Sequence, residues 1–190
     1  MKKMSAPKPK KIPKVLEAHE DQRTDNYYWL RDDTRKNKEI LNYLEEENKY
    51  CEEWFSNGVD CRKEIYDELI DSIPSEEISL KIKKDDFYYY SKIKSDEQYP
   101  VYFREKENKV EEILNVNKLG KDLDFYQISG VSPSPNNNVI AFGEDKNGRR
   151  EYTIKFKDLK TDKLLADELQ NTSGNISWGN DEYIFYTLKD

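Results

Sequence analysis

His19 is the one histidine in the 190-residue chain, and it decides what acid–base chemistry the sequence offers. A Ser-His-Asp triad needs a histidine to take the serine proton, so any triad would have to use His19. That residue lies in a proline-rich N-terminal arm, and no GxSxG elbow occurs to present a serine. His19 therefore reads as a structural histidine that hydrogen-bonds the arm. No second histidine and no CxxC pair completes a metal set. The 7 glycines are scattered and build no phosphate loop. No catalytic, cofactor-binding or metal-ligating residue is assigned, and no cofactor is expected. Glu45-Glu46-Glu47 and Asp85-Asp86 could be taken for acid/base pairs, but neighbouring helix residues point in different directions, so they read as solvated faces. Asp85, Asp86 and Asp124 receive no role.

What chemistry the sequence does carry is aromatic. The stretch DNYYWLRDD at 25–33 concentrates Tyr27, Tyr28, Trp29 and Leu30 near an N-terminus, where chains are ordinarily loose. The whole chain is polar: 37% charged, 35% apolar against the usual ~45–50%, with a mean hydropathy of −1.07. Such values approach disorder, but 14 Tyr, 7 Phe and 3 Trp argue for a folded chain with a modest core. It would bury its apolar surface better with a partner or with more chain. Net charge is −7, which disfavours a nucleic-acid surface. The locally basic run MKKMSAPKPKKIPK reads as a solvated, proline-broken arm. Proline and lysine follow Met1-Lys2-Lys3 where a signal peptide would be apolar, and no run reaches the ~18 apolar residues of a membrane helix. A cytoplasmic location, no membrane contact and two unused sequons at Asn171 and Asn175 are expected. Cys51 and Cys61 are expected reduced, a mutual disulfide being the alternative.

The elements follow from period and punctuation. Residues 1–36 read as an extended arm, with Pro7, Pro9 and Pro13 fixing φ. Asn37 is a plausible N-cap and Glu39 suits the first turn of a helix. Ile40, Leu41, Leu44, Cys51, Trp54 and Phe55 recur at helical spacing until Asn57-Gly58. Cys61, Ile65, Leu69 and Ile73, with Tyr66 and Ile70, mark a second helix ended by Pro74. Two amphipathic helices and a short turn predict a helical hairpin. Beyond Ser75 the period becomes two. Strands are expected at Phe87–Tyr90, Val101–Phe103, Val110–Val116, Val139–Phe142, Tyr152–Phe156, Leu164–Leu165 and from Tyr183 onward. Turns are expected at Glu107–Lys109 and Lys160–Lys163.

These segments repeat. SPSPNNNVIAFG at 132–143 parallels SWGNDEYIFYT at 177–187, 45 residues later. YFREKENKVEEIL at 102–114 parallels IKFKDLKTDKLL at 154–165, 52 residues later. Periods near 40–50 residues with four short strands suit propeller blades, here about two from roughly 78 to 170 and the start of a third. Closure takes about four blades at least, so the sequence would stop short of a ring. A longer protein, or instead an independent β-sandwich or meander, fits the same segments.

The arm, helices and strand order together resemble the N-terminal region of the prolyl oligopeptidase family of serine peptidases, in its oligopeptidase B (protease II) branch. The resemblance rests on HEDQRTDNYYWLRDD at 19–33, ILNYLEEENKY at 40–50, QYPVYFRE at 98–105 and REYTIKFKDLKTDKLL at 150–165, and runs from about residue 7 to the end. His19, Arg23, Asp25, Tyr27, Trp29 and Leu30 match the family's arm motif. The resemblance implies an α+β chain: an extended arm and helical hairpin, then the first two to three blades of a seven-bladed β-propeller. Residues 1–76 would pack on a peptidase domain, and 77–190 would form the partial propeller. It also implies an α/β-hydrolase catalytic domain carrying the triad, a propeller that admits only short peptides, and cleavage after Arg or Lys. No residue here matches the family's catalytic Ser, Asp or His. Where family blades often turn through Ser-Pro-Asp-Gly, this chain has Ser132-Pro133-Ser134-Pro135-Asn136-Asn137-Asn138.

The resemblance also accounts for the aromatic stretch. Tyr27, Tyr28, Trp29 and Leu30 would dock to the catalytic domain, each burial contributing roughly 1.5–3 kcal/mol. The chain reads as the gating part of an oligopeptidase B-like peptidase, inactive alone, with the catalytic domain and short peptides as partners. The alternative is a stand-alone peptide- or protein-binding module that recruits a partner by strand addition. A separately encoded catalytic polypeptide is a third arrangement.

Overall fold

The computed structural model describes residues 5–188, the side chain of Asn57 excepted. The chain divides into two compact units, Met1–Ser72 and Ile73–Asp190.

In the first unit the arm is not extended throughout. Strands β1 (Lys14–Ala18) and β2 (Asp21–Asp25) pair antiparallel in a hairpin. Its two-residue turn is His19-Glu20, at φ 52° and 64°, the doubly left-handed geometry that matches strand twist. His19 thus shapes a turn through its backbone, and its side chain is exposed instead of hydrogen-bonding the arm. A 3-10 turn, Tyr28–Leu30, follows. Helix α1 (Lys38–Phe55) starts where expected, with the Asn37 side chain accepting the Glu39 N–H at 3.0 Å. Helix α2 spans Val59–Asp71.

The expected helical hairpin is corrected to two helices in series. Phe55, Ser56 and Val59 all keep right-handed helical backbone through the 3-10 turn Ser56–Gly58. The chain therefore never reverses, and α1 and α2 meet through that turn without packing along one another. Gly58 interrupts the helix without supplying a left-handed reversal. Cys51 and Cys61 are free and exposed, so the disulfide alternative falls away.

The second unit is two antiparallel sheets. The first contains β3 (Glu76–Ile78), β4 (Ile82–Lys84), β5 (Phe87–Lys94), β6 (Val101–Lys106) and β7 (Lys109–Asn115), ordered β3-β5-β6-β7, with β4 also on β5. The turn between β6 and β7 is again a left-handed pair, Glu107-Asn108. A short helix, α3 (Val116–Leu119), leads on to β8 (Gln127–Pro133), β9 (Val139–Asp145), β10 (Tyr152–Asp158), β11 (Lys163–Trp178) and β12 (Ile184–Leu188). This second sheet is ordered β12-β11-β10-β9-β8. Strands β3, β4 and β8 carry no strong alternation and α3 is one turn long, so the sequence hid them.

The core lies between the sheets. Ile113, Leu114, Val116 and Tyr126 pack with Ile140, Phe142 and Leu159, flanked by Tyr89, Tyr99 and Tyr102. Strand β11 pairs with β10 along its first part and β12 along its last, bending between. Two glycines permit the bend. Gly174, at φ 81°, lets the strand turn, and Gly130, at φ 62°, leaves room where an added Cβ would sit 2.3 Å from the Gly174 carbonyl oxygen. Thr172, fully buried, locks it by donating to the Tyr152 carbonyl at 2.9 Å and accepting the Gly174 N–H at 3.2 Å.

The repeat seen in sequence becomes contact. Trp178 Nε1 donates to the Ser132 carbonyl at 3.1 Å, and the Asn136 N–H donates to Asp181 Oδ1 at 2.7 Å. Residues about one repeat apart therefore touch.

Candidate docking site

The arm motif is built by short-range hydrogen bonds. Asp25 Oδ1 accepts the Tyr27 N–H at 2.8 Å and so starts the turn. The 3-10 turn then aims Trp29 back at the preceding chain, where its Nε1 donates to the Lys10 carbonyl at 2.8 Å. The Trp29 ring meets Tyr43 of α1 at 6.5 Å, tilted by 54°. The Lys14 ammonium lies 3.7 Å over the Tyr28 ring, a cation–π contact. Asp32 ends the motif: its two oxygens accept the N–H groups of Thr34, Lys36 and Asn37 and the Thr34 hydroxyl. These donors, led by the Thr34 hydroxyl, pull the Asp32 carboxyl down to about 2. Tyr43 donates to Glu47, which pushes its phenol up to about 12.

The structure brings Trp29 against α1 but buries none of the four arm residues. Tyr27 is 41% exposed, and Tyr28, Trp29 and Leu30 are half-buried. Among the described residues, the helices that follow bury Ile40 alone. Trp54 (62%), Tyr66 (63%) and Leu69 (61%) lie open, with Phe55, Ile65 and Ile70 also exposed. Burying such side chains is the dominant favourable term in association, so this apolar surface is the chemically distinctive feature of the first unit.

The other sequence candidates stay apart. His19 is at a hairpin tip; Glu45 and Glu46 are solvated, and Glu47 serves Tyr43. Asp86 pairs with Lys106 at 2.8 Å, which lowers its carboxyl, while Asp85 accepts from Asn137 Nδ2 at 3.4 Å and Asp124 is exposed. Among the described residues, no three His, Cys, Asp or Glu side chains gather to hold a metal, and no helix is long and apolar enough to cross a membrane.

Sequence reasoning missed the junction between the two sheets of the second unit. Asn137, at φ 58°, sits in the Pro135–Asn138 turn. Its carbonyl accepts from Arg104 Nη1 and its Oδ1 accepts the Tyr89 hydroxyl at 2.7 Å. Arg104 also pairs through Nε with Glu111 at 2.7 Å and lies 4.6 Å over Phe87. Lys84 donates to the Pro133 carbonyl at 2.6 Å. The signal was present as a run of three asparagines, a residue type that tolerates left-handed backbone.

This geometry has known counterparts. Residues 7–190 match the family model for the prolyl oligopeptidase N-terminal β-propeller domain. Dipeptidyl aminopeptidase BI of Pseudoxanthomonas mexicana is 34% identical over 95% of this chain and 28% of its own length. Protease 2 of Moraxella lacunata is 34% identical over 98% of this chain and 28% of its own length. Among solved structures, oligopeptidase B from Leishmania major superposes with a TM-score of 0.88 at 28% identity, covering 98% of this chain and 29% of that one. Oligopeptidase B from Trypanosoma brucei, closed with covalently bound antipain, gives 0.83 at 27% identity, covering 98% and 29%. The chain thus spans under a third of the length of these relatives. The order of arm, helices and sheets, matched over nearly every residue, places the chain in the prolyl oligopeptidase family of serine peptidases, as an N-terminal region of the oligopeptidase B branch.

Proposed function

We propose that this chain is the propeller and gating part of an oligopeptidase B-like serine peptidase that hydrolyses short peptides after Arg or Lys. The observation that carries the reading is the 0.88 TM-score over 98% of the chain to an oligopeptidase B. In this reading residues 1–76 pack on a peptidase domain and 77–190 form the first blades of a seven-bladed propeller. The first sheet is one blade, β8 to the first part of β11 a second, and the rest of β11 with β12 opens a third. Tyr27, Tyr28, Trp29 and Leu30 are docking residues, which their incomplete burial and the open apolar helices support. The catalytic Ser, Asp and His come from outside this chain, so it is inactive alone. A cytoplasmic setting suits the exposed free thiols of Cys51 and Cys61. The alternative, a stand-alone binding module, draws on β12, an edge strand whose Phe185 is 70% exposed.

The test is a chimera in which this chain replaces the corresponding segment of Moraxella lacunata protease 2. Turnover of Arg- and Lys-ending reporter peptides by the chimera, with none by the chain alone, is the expected result. Turnover by the isolated chain, or a folded chimera indifferent to Arg and Lys, would overturn the proposal.

A further inference from the structure

The Pro-rich start of the arm is seated the way recognition domains seat proline-rich ligands. Along residues 7–10 burial alternates: Pro7 and Pro9 are half-buried, Lys8 and Lys10 exposed. The Trp29 indole donates to the Lys10 backbone carbonyl, and the Lys10 ammonium pairs with Glu39 of α1 at 2.6 Å. Ile12 N–H donates to the Asn26 carbonyl at 2.9 Å. Pro7 lies beside Tyr50, Glu46 and Glu53, further along α1. Prolines on aromatic rings, an indole N–H on a ligand carbonyl and a carboxylate for the flanking cation are the elements by which grooves read polyproline segments. Proline pre-sets the extended backbone and removes donors, so few hydrogen bonds hold the segment.

We propose that Trp29, Glu39 and Tyr50 form a binding shelf for a basic, proline-containing extended segment, and that residues 7–12 occupy it as a releasable internal ligand. The indole contact selects a backbone carbonyl, Glu39 selects a cation beside it, and Tyr50 flanks the proline three residues earlier. The Lys10–Glu39 pair and the indole bond both lie in exposed surroundings, so the strap belongs to the least stable class of local structure. The shelf shares Trp29 with the docking residues proposed above, so a catalytic domain seated on that ring would compete with the strap, and the test uses the chain alone.

The test is charge reversal in the full chain, followed through the Trp29 indole N–H by NMR. Lys10→Glu sets two carboxylates against each other and should speed solvent exchange of that indole by about fivefold or more, with the helical circular dichroism unchanged. Adding a synthetic peptide of residues 5–14 at roughly millimolar concentration should then restore protection. A chain carrying Glu39→Lys should reject that peptide and accept its Lys10→Glu version. An indole that stays protected in Lys10→Glu, a freed shelf that ignores the peptide, or binding indifferent to the charge swap would overturn the proposal.

Discussion

Replacing Arg104 by Met should loosen the two sheets of the second unit, and the size of the effect follows from where each Arg104 contact lies. Its guanidinium spans a surface pair and a buried one. Towards Glu111 the pair is 2.7 Å long, but that carboxylate is 42% exposed and regains water when the arginine goes, so this contact contributes at most about 1 kcal/mol. Towards the Asn137 carbonyl the contact is buried and crosses between the sheets; a charged hydrogen bond of that kind contributes roughly 1.5–3 kcal/mol, and its loss strands the carbonyl. Met keeps the packing on Phe87. The sum is about 1.5–4 kcal/mol, against less than about 1 kcal/mol for Glu111→Gln. Urea unfolding followed through Trp178, with Trp29 and Trp54 replaced by Phe, reads this unit, because Trp178 is bonded to Ser132 within it. If Glu111→Gln cost as much as Arg104→Met, the ion pair and not the inter-sheet carbonyl would hold the junction, and the reasoning would be wrong.

Thr172→Val keeps the shape but removes the buried hydroxyl, leaving the Tyr152 carbonyl and the Gly174 N–H without it; a loss of about 1–3 kcal/mol is expected in the same unfolding assay. Asp32 has its folded carboxyl lowered to about 2 from an ordinary 3.8. Its contribution is therefore fully present above about pH 5 and lost as pH falls through about 4 towards 2, so the Lys36 and Asn37 amides should lose hydrogen-exchange protection over that window and not above it. An Asp32→Asn chain should show no such step. Trp29→Ala should leave the second unit's unfolding midpoint unchanged, since the two units are separately compact, but should weaken assembly of the protease 2 chimera, measured as peptidase activity lost on dilution in urea.

Where the sequence carried local chemistry, it was sufficient. Asn37 ahead of an apolar period placed the start of α1, a period of two placed β5, β6, β7, β9 and β10, and the 45-residue echo of Ser132 in Ser177 marked two repeated segments, which the fold joins through Trp178 and Ser132. These features act over a few residues, or repeat, and so survive without knowledge of the fold. The family's arm motif was legible for the same reason, its residues lying within twelve positions of one another. What only tertiary structure decided depends on distance through space. The helices fail to fold back because nothing in Ser56–Gly58 reverses the backbone, whereas their apolar faces alone suggested pairing. The His19-Glu20 hairpin turn needed β1 and β2 to find each other without apolar alternation. The junction of Arg104, Asn137 and Tyr89 joins positions up to 48 apart through a backbone carbonyl and an amide. No pattern of side-chain types encodes such contacts, because the backbone oxygen is the same in every residue and its availability is set by the fold.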